Sequence, residues 1–270
     1  MNFLQYFCIN YNPFDEHNWE YDAFKSEHLN QAKNRILYSA ETQTICLITG
    51  KSGSGVTRTI LESINALEEN TYKVIYVPVG NYKTFDFYNI IAEKLGIYVN
   101  GYSKATIKTS IQNAITNIIT KEDLKPVFII DNAHMLDKEA LYDLSLFYDF
   151  GLESGAQTCL IVAGNDLLRG KIRSLHFDSF ADRIATNYKL KYLKPIEIGS
   201  YIKSQMPDKK YPLQFVNEKY LLEEISKITQ GNYRKINMLM TNLMILANQK
   251  QLKCFSIDDV QKAKNEMFFC

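Results

Sequence analysis

Short apolar runs alternate with longer amphipathic stretches through most of the chain, and that rhythm sets the expected fold. The first run, residues 44–49 (TICLIT), ends at a glycine. It reads as a buried strand entering a loop at 50–55, then a helix over about 57–67. A second buried strand is expected at 73–79, followed by helices near 84–95 and 106–119, with Gly96 and Gly101 as breakers between them. The third strand, 127–130, follows Pro126 and ends on Asp131. Asp137 is placed to cap the next helix, where Leu141, Leu144 and Phe147 recur at core spacing. A fourth strand is expected at 158–163, a helix near 167–175, and a fifth strand around 187–193. Strands that are continuous apolar runs, alternating with helices, predict an α/β fold with a parallel sheet covered on both faces.

After Pro195 the pattern changes. Helices are expected at about 195–205, 218–229, 233–250 and 257–266, the last opened by Ser256 as N-cap, and no further strand is evident. The predicted organisation is an N-terminal segment, 1–44, packing on the core, a sheet domain over 45–194, and a small helical domain over 195–270. There is no internal repeat and no low-complexity linker.

Composition narrows the class. The chain has 270 residues, 46% hydrophobic and 13% aromatic. That is ample material for a sizeable core and excludes a disordered chain. No apolar run reaches the roughly 18–20 residues of a membrane span. The opening MNFLQYF lacks the regions of a signal peptide, so a cytoplasmic protein without a membrane partner is expected. Five cysteines (Cys8, Cys46, Cys159, Cys254, Cys270) are scattered with no CxxC pair, which argues against a disulfide framework or a zinc site. A formal net charge of +1 excludes an overall basic coat for nucleic acid and leaves room for a local stripe. Only six basic residues are arginines: Arg35, Arg58, Arg169, Arg173, Arg183 and Arg234. Each matters, because lysine does not reproduce the bidentate fork.

The chemistry concentrates after the first strand. Gly50-Lys51-Ser52-Gly53-Ser54-Gly55-Val56-Thr57 matches the P-loop pattern G-x-x-x-x-G-K-S/T at every fixed position except one, where Val56 replaces lysine. In such a loop glycines let backbone amides curl round an anion beside a helix N-terminus. The lysine adds charge on the β/γ-phosphates and the hydroxyl, here Thr57, holds Mg²⁺. Two of the three parts remain. The second element is Val127-Phe128-Ile129-Ile130-Asp131, an apolar strand that delivers a carboxylate to the sheet edge, as in a Walker B strand. Asn132 follows, able to orient a water but not to accept its proton.

With their flanks, these residues resemble an AAA+ ATPase of the ExeA/TniB type, the group that includes the transposition regulators related to TnsC, and the resemblance runs nearly end to end. Tyr11-Asn12-Pro13-Phe14 resembles the group's N-terminal NPF signature, and Asp131-Asn132-Ala133-His134 its D-E-x-H box. Ala163-Gly164-Asn165 followed by Leu167-Leu168 resembles the sensor 1 strand end. Phe180-Ala181-Asp182-Arg183-Ile184 resembles the Q-R-I segment, whose arginine is a candidate finger for an adjacent subunit's nucleotide. Gly231-Asn232-Tyr233-Arg234-Lys235-Ile236-Asn237 resembles the sensor 2 helix. The resemblance implies a P-loop AAA+ core of αβα layers with a C-terminal all-helical lid.

It further implies ATP or ADP with Mg²⁺ as cofactors, and a homo-oligomer or a hetero-oligomer with a related AAA+ subunit. Double-stranded DNA and a transposase are the implied partners. Gly50 to Gly55 would cradle phosphates, with Lys51 and Arg58 as candidates for the missing charge. Thr57 and Asp131 would hold the metal, and Asn165 and Arg234 would sense the γ-phosphate. Loss of both the loop lysine and the Walker B glutamate predicts a nucleotide-binding regulator that hydrolyses slowly or not at all. A non-catalytic adaptor and a secretion-associated ATPase are the alternatives. Plainer readings stand beside several residues: Arg183 as a surface ion pair with Asp182 or Asp178, Arg234 as an ordinary helix arginine, Asn165 as a helix cap, His134 as a structural contact. For DNA, Lys83, Lys104 and Lys108 are the basic candidates. A second basic cluster (Arg169, Lys171, Arg173, Lys189, Lys191, Lys194) is diluted by Asp166, Asp178 and Asp182.

Overall fold

The computed structural model describes residues 3–15, 24–98, 103–150, 158–174, 178–206, 214–215, 218–252 and 254–267. Gly101 and the last residue of the helix expected at 167–175 lie outside them. The chain opens with α1 (Phe3–Tyr6) and α2 (Glu27–Thr42). Then come β1 (Ile45–Gly50), α3 (Val56–Ile64), β2 (Tyr72–Pro78), α4 (Thr84–Lys94), α5 (Lys104–Thr120) and β3 (Lys125–Asp131). A 3-10 turn, Ala133–Met135, leads to α6 (Lys138–Asp149), β4 (Cys159–Gly164), α7 (Asp166–Ile172), α8 (Asp178–Ala181) and β5 (Ile184–Leu190). The remainder is α9 (Pro195–Gln205), β6 (Gln214–Phe215), α10 (Glu218–Thr229), α11 (Tyr233–Lys250), β7 (Cys254–Phe255) and α12 (Ile257–Asn265). Two compact units result, one of residues 27–190 and one of 1–26 with 191–270.

The larger unit is a five-stranded parallel sheet in the order β2-β3-β4-β1-β5. Strands β1 and β4 are buried along their whole length, and β3 in all but its first residue, as continuous apolar runs require. Helices α4 to α7 supply the core of one face, with Phe87, Tyr88, Ile91, Ile107, Ile111, Leu144 and Leu168 among its members. Phe147 sits inside it, its ring centroid 5.5 Å from Phe128 and 5.7 Å from Tyr88. Helices α2 and α3 pack on β1 and β4, and α2 also on β5.

Helix α2 was not expected, although Leu29, Ala32, Ile36 and Ala40 repeat at helical spacing and are all buried. It belongs to the sheet unit, whereas residues 1–26 group with the helical unit, so the expected segment 1–44 divides between the two. The fifth strand runs earlier than expected, because β5 is an edge strand of alternating exposure rather than an apolar run.

The smaller unit is held by its own core, in which Phe7 and Phe14 join Leu193, Ile198, Ile202, Leu221, Ile225, Ile236, Leu239, Met240 and Val260. The Tyr6 hydroxyl donates to the Leu252 carbonyl at 2.9 Å, and the Asn12 amide donates to Thr241 Oγ1 at 3.0 Å. Gly231 has φ +74°, and a Cβ there would stand 2.1 Å from the Leu193 carbonyl oxygen, so only glycine fits. The expectation of no strand after Pro195 is corrected by β6 and β7, which form a two-residue parallel pair. Ser256 caps α12 as expected, accepting from the Asp259 amide.

Candidate functional site

The loop after β1 is shaped by its glycines. A side chain on Gly50 would stand 2.3 Å from Ser54 Oγ and 3.0 Å from Leu190 Cβ. Gly53 and Gly55 hold φ values of +76° and +90°, a region where only glycine is unstrained. The Ser54 amide donates to the Lys51 carbonyl at 3.0 Å, closing the turn. Helix α3 then starts at Val56, with Gly55 as an N-cap that offers no side-chain acceptor. A nine-residue helix therefore presents first-turn amides that no cap satisfies, at the carboxyl edge of a parallel sheet. Ser54 and Thr49 are buried, and neither hydroxyl has a hydrogen-bond partner. Buried orphan hydroxyls are uncommon, and here they stand beside a loop with the shape of an anion cradle. Lys51 and Ser52 are exposed. Arg58 pairs with Glu62 at 3.1 Å, one turn along α3.

The loop and β3 meet through one contact. Thr57 Oγ1 donates to Asp131 Oδ2 at 2.8 Å. Asp131 is 1% exposed, and the Asn132 amide donates to its Oδ1 at 2.8 Å. Tyr76, from β2, donates its hydroxyl to Oδ2 at 3.3 Å. Burial pushes the Asp131 carboxyl above its ordinary pKa, opposed by Thr57, the Asn132 amide, Tyr76 and His134. Tyr76 is pushed up as well, by burial first and then by Asp131. Sequence reasoning missed Tyr76, whose contact depends on sheet register and has no local signal.

Asn132 takes the left-handed conformation, φ 58° and ψ 31°, and turns the chain into the 3-10 turn. His134 Nδ1 accepts from the Asn165 amide at 3.4 Å, so the neutral ring carries its proton on Nε2. Burial, then the Lys171 cation, lowers the His134 pKa, with Asp131 acting against them. Lys171 Nζ donates to the carbonyls of His134 and Leu136 at 2.6 and 3.1 Å. The turn after β3 and the end of β4 are thereby tied together. Asn165 caps α7, its Oδ1 accepting from the Leu167 amide at 3.0 Å.

Other expected site residues are placed elsewhere. Arg183 precedes β5 and so lies at the amino edge of the parallel sheet, opposite the loop. Its NH1 pairs with Asp149 Oδ2 at 2.7 Å, not with Asp182. Arg234 is an exposed residue in the first turn of α11, in the helical unit. Lys83 is exposed immediately before α4, and Lys108 is half-buried on α5. Lys104 binds Glu139 and, at 3.0 Å, Asp143, so its charge is already committed within the chain. Among the described residues no group of His, Cys, Asp and Glu side chains forms a metal cluster, and no helix is long and apolar enough to cross a membrane. A magnesium ion in this fold needs no such cluster, because one hydroxyl, one carboxylate and the nucleotide's phosphates hold it. The Thr57–Asp131 pair fits that requirement.

A family model described as an AAA domain matches residues 39–172. The chain is similar in structure to Cdc6p from Pyrobaculum aerophilum, with a TM-score of 0.74 at 14% identity over 95% of this chain and 71% of that one. It is similar to the Aeropyrum pernix ORC2 protein in ADPNP-ADP complexes, with a TM-score of 0.69 at 18% identity over 94% of this chain and 71% of that one. It is also similar to the Aeropyrum pernix ORC1 protein in complex with DNA, with a TM-score of 0.61 at 16% identity over 88% and 64% of the two chains. None of the curated proteins matches the sequence.

Proposed function

From the premise that this chain has the AAA+ P-loop fold with a helical carboxy-terminal region, we propose that it is a nucleotide-binding regulator of DNA transposition. In this reading it assembles on double-stranded DNA with copies of itself or with a related AAA+ subunit, engages a transposase, and hydrolyses ATP slowly or not at all. The observation that carries the nucleotide part is the Thr57–Asp131 hydrogen bond of 2.8 Å beside the glycine loop, with Val56 and Asn132 where charge and base would stand.

The amides of Gly50 to Gly55 and the first turn of α3 would hold the phosphates of ATP or ADP, and Thr57 and Asp131 would hold Mg²⁺. The metal would supply positive charge to the β/γ-phosphate oxygens. Val56 adds none, and Arg58 is turned toward Glu62. Asn132 can orient a water without taking its proton, so activation of the attacking water is the step this chain lacks. Asn165 and Arg234 keep the sensing roles the resemblance gives them. Arg183, at the opposite sheet edge, suits an action on a neighbouring subunit after leaving Asp149.

DNA contact rests on Lys83 and Lys108, since Lys104 is held by carboxylates. The likeness to a DNA-bound ORC1 structure supports the DNA part, and the sequence resemblance to transposition regulators supports the transposase part. Saturating Mg-ATP is expected to raise the melting temperature by mass action while turnover stays far below about one per second, the low end of typical enzyme turnover. Turnover at that rate, or no thermal shift, overturns the reading. The transposase part is tested by co-purification with a transposase from the same genome, and failure to recover any overturns that part. A second reading, an adaptor that keeps the fold without needing ATP, is favoured by Val56 and by the Arg58–Glu62 pair, and it predicts no shift with nucleotide.

A further inference from the structure

We infer that Tyr76 is a positioning residue of the metal site, its hydroxyl holding the Asp131 carboxylate toward Thr57 where no loop lysine supplies positive charge. The inference rests on the nucleotide reading above and goes further, assigning to a residue outside both motifs the task of keeping the metal acid aimed.

Asp131 is 1% exposed and has no ion pair among the described residues. A carboxylate taken out of water is costly unless donors surround it, and all three donors here are neutral. The Asn132 amide serves Oδ1, and the hydroxyls of Thr57 and Tyr76 serve Oδ2. Two of these are intrinsic to the motifs, the backbone turn after β3 and the threonine that opens α3. Tyr76 is the third, and it comes from a different strand. In the β2–β3 register Tyr76 lies beside Ile129 and Pro78 beside Asp131, so the ring reaches two residues up the neighbouring strand to the carboxylate.

The consequence follows from what each donor does when metal arrives. Thr57 would offer an oxygen lone pair to the ion while its O–H still donates to Oδ2. The Asn132 amide is fixed by the backbone. The Tyr76 hydroxyl has no role toward the ion and keeps its bond to Oδ2. It is therefore a second donor to this oxygen beside Thr57, and the one with no duty toward the ion. Phenylalanine retains the ring and removes only that bond.

The test is a titration of the full chain with a fluorescent ATP analogue, with Mg²⁺ or with EDTA, for wild type, Tyr76→Phe, Val56→Lys and the double variant, with melting temperature as a control for folding. Tyr76→Phe is expected to weaken magnesium-dependent binding about tenfold, the size of a hydrogen bond to a charged group, while binding in EDTA is unchanged. In the Val56→Lys background the loss is expected to shrink, because an ammonium then offsets the carboxylate. Equal loss with and without Mg²⁺ marks a structural role and overturns the inference. So does no loss, or a gain, in magnesium. A wild type that binds no analogue under either condition overturns the nucleotide reading together with this inference. Wild-type binding that Tyr76→Phe leaves untouched overturns the inference alone.

Discussion

Two aspartates at the same edge of the sheet are treated in opposite ways. Asp131 is buried, has only neutral donors, and has its pKa raised by burial. Asp137 is exposed. Burial acts upward on it too, but the Ala140 amide, Thr84 and Lys104 outweigh that and hold its carboxyl below the ordinary value. Its Oδ1 accepts from the Ala140 amide at 2.7 Å, capping α6. The same carboxylate takes the Thr84 amide at 3.2 Å and the Thr84 hydroxyl at 2.9 Å, at the start of α4. One side chain thus caps two helices. The network continues through Lys104 to Glu139 and Asp143, and the Tyr88 hydroxyl donates to Asp143 at 2.7 Å. Where the polar groups serve the fold, amides and a cation satisfy them. Where, in the proposed reading, a carboxylate would receive a metal cation, only neutral donors meet it.

The sharpest way to break this contrast is to remove each charge in turn. Asp131→Asn removes an uncompensated buried charge and keeps the shape. Stability without nucleotide is expected to stay within about 1 kcal/mol of wild type or to rise, because burial already disfavours the ionised form of Asp131. Mg-nucleotide affinity is expected to fall to the level measured in EDTA. Urea denaturation and the same titration check both. Asp137→Ala, though it alters an exposed residue, is expected to cost about 2 kcal/mol from the lost cap and the orphaned Thr84 donors.

The pH dependence of Asp137 has a definite sign. A folded pKa below the unfolded 3.8 gives stability that is complete above about 3.8 and is lost as pH falls through the folded value. The gap between wild type and Asp137→Ala should therefore be full at pH 7 and narrow below pH 3.8. A gap that persists unchanged at low pH would show that the cap acts through packing rather than through the carboxylate.

Legibility in the sequence followed the range of the interactions. The loop, the aspartate ending β3, and the caps Asp137, Asn165 and Ser256 are all set by residues within a few positions of one another, and each is where short-range reasoning put it. The partners of those groups were not readable. Tyr76 reaches Asp131 across 55 positions, Thr84 reaches Asp137 across 53, and Arg183 pairs with Asp149 across 34 rather than with its neighbour Asp182. Sheet register and helix placement decide these contacts, and apolar periodicity says nothing about either. Edge strand β5 was misplaced for a related reason. Its half-polar pattern carries a weaker signal than the buried strands beside it.

The smallest expected effects separate the basic residues by what they already touch. Lys104 lies over the Tyr88 ring at 5.3 Å and binds two carboxylates. Burial works to lower its pKa, but Glu139 and Asp143 more than reverse this, and the net pKa is raised. Lys104→Met is expected to cost no more than about 1 kcal/mol, as for a partly exposed ion pair. Its effect on DNA is the better discriminator. Each lysine that displaces a counterion from the duplex adds about 0.9 to the slope of log affinity against log salt. Lys83→Ala and Lys108→Ala should each flatten that slope by about one, while Lys104→Met leaves it unchanged. If Lys104→Met flattens it equally, the Lys104 ion pairs open on DNA. The α4–α6 network would then be a contact surface held shut by its own carboxylates, and the division between the two acidic sites would fall.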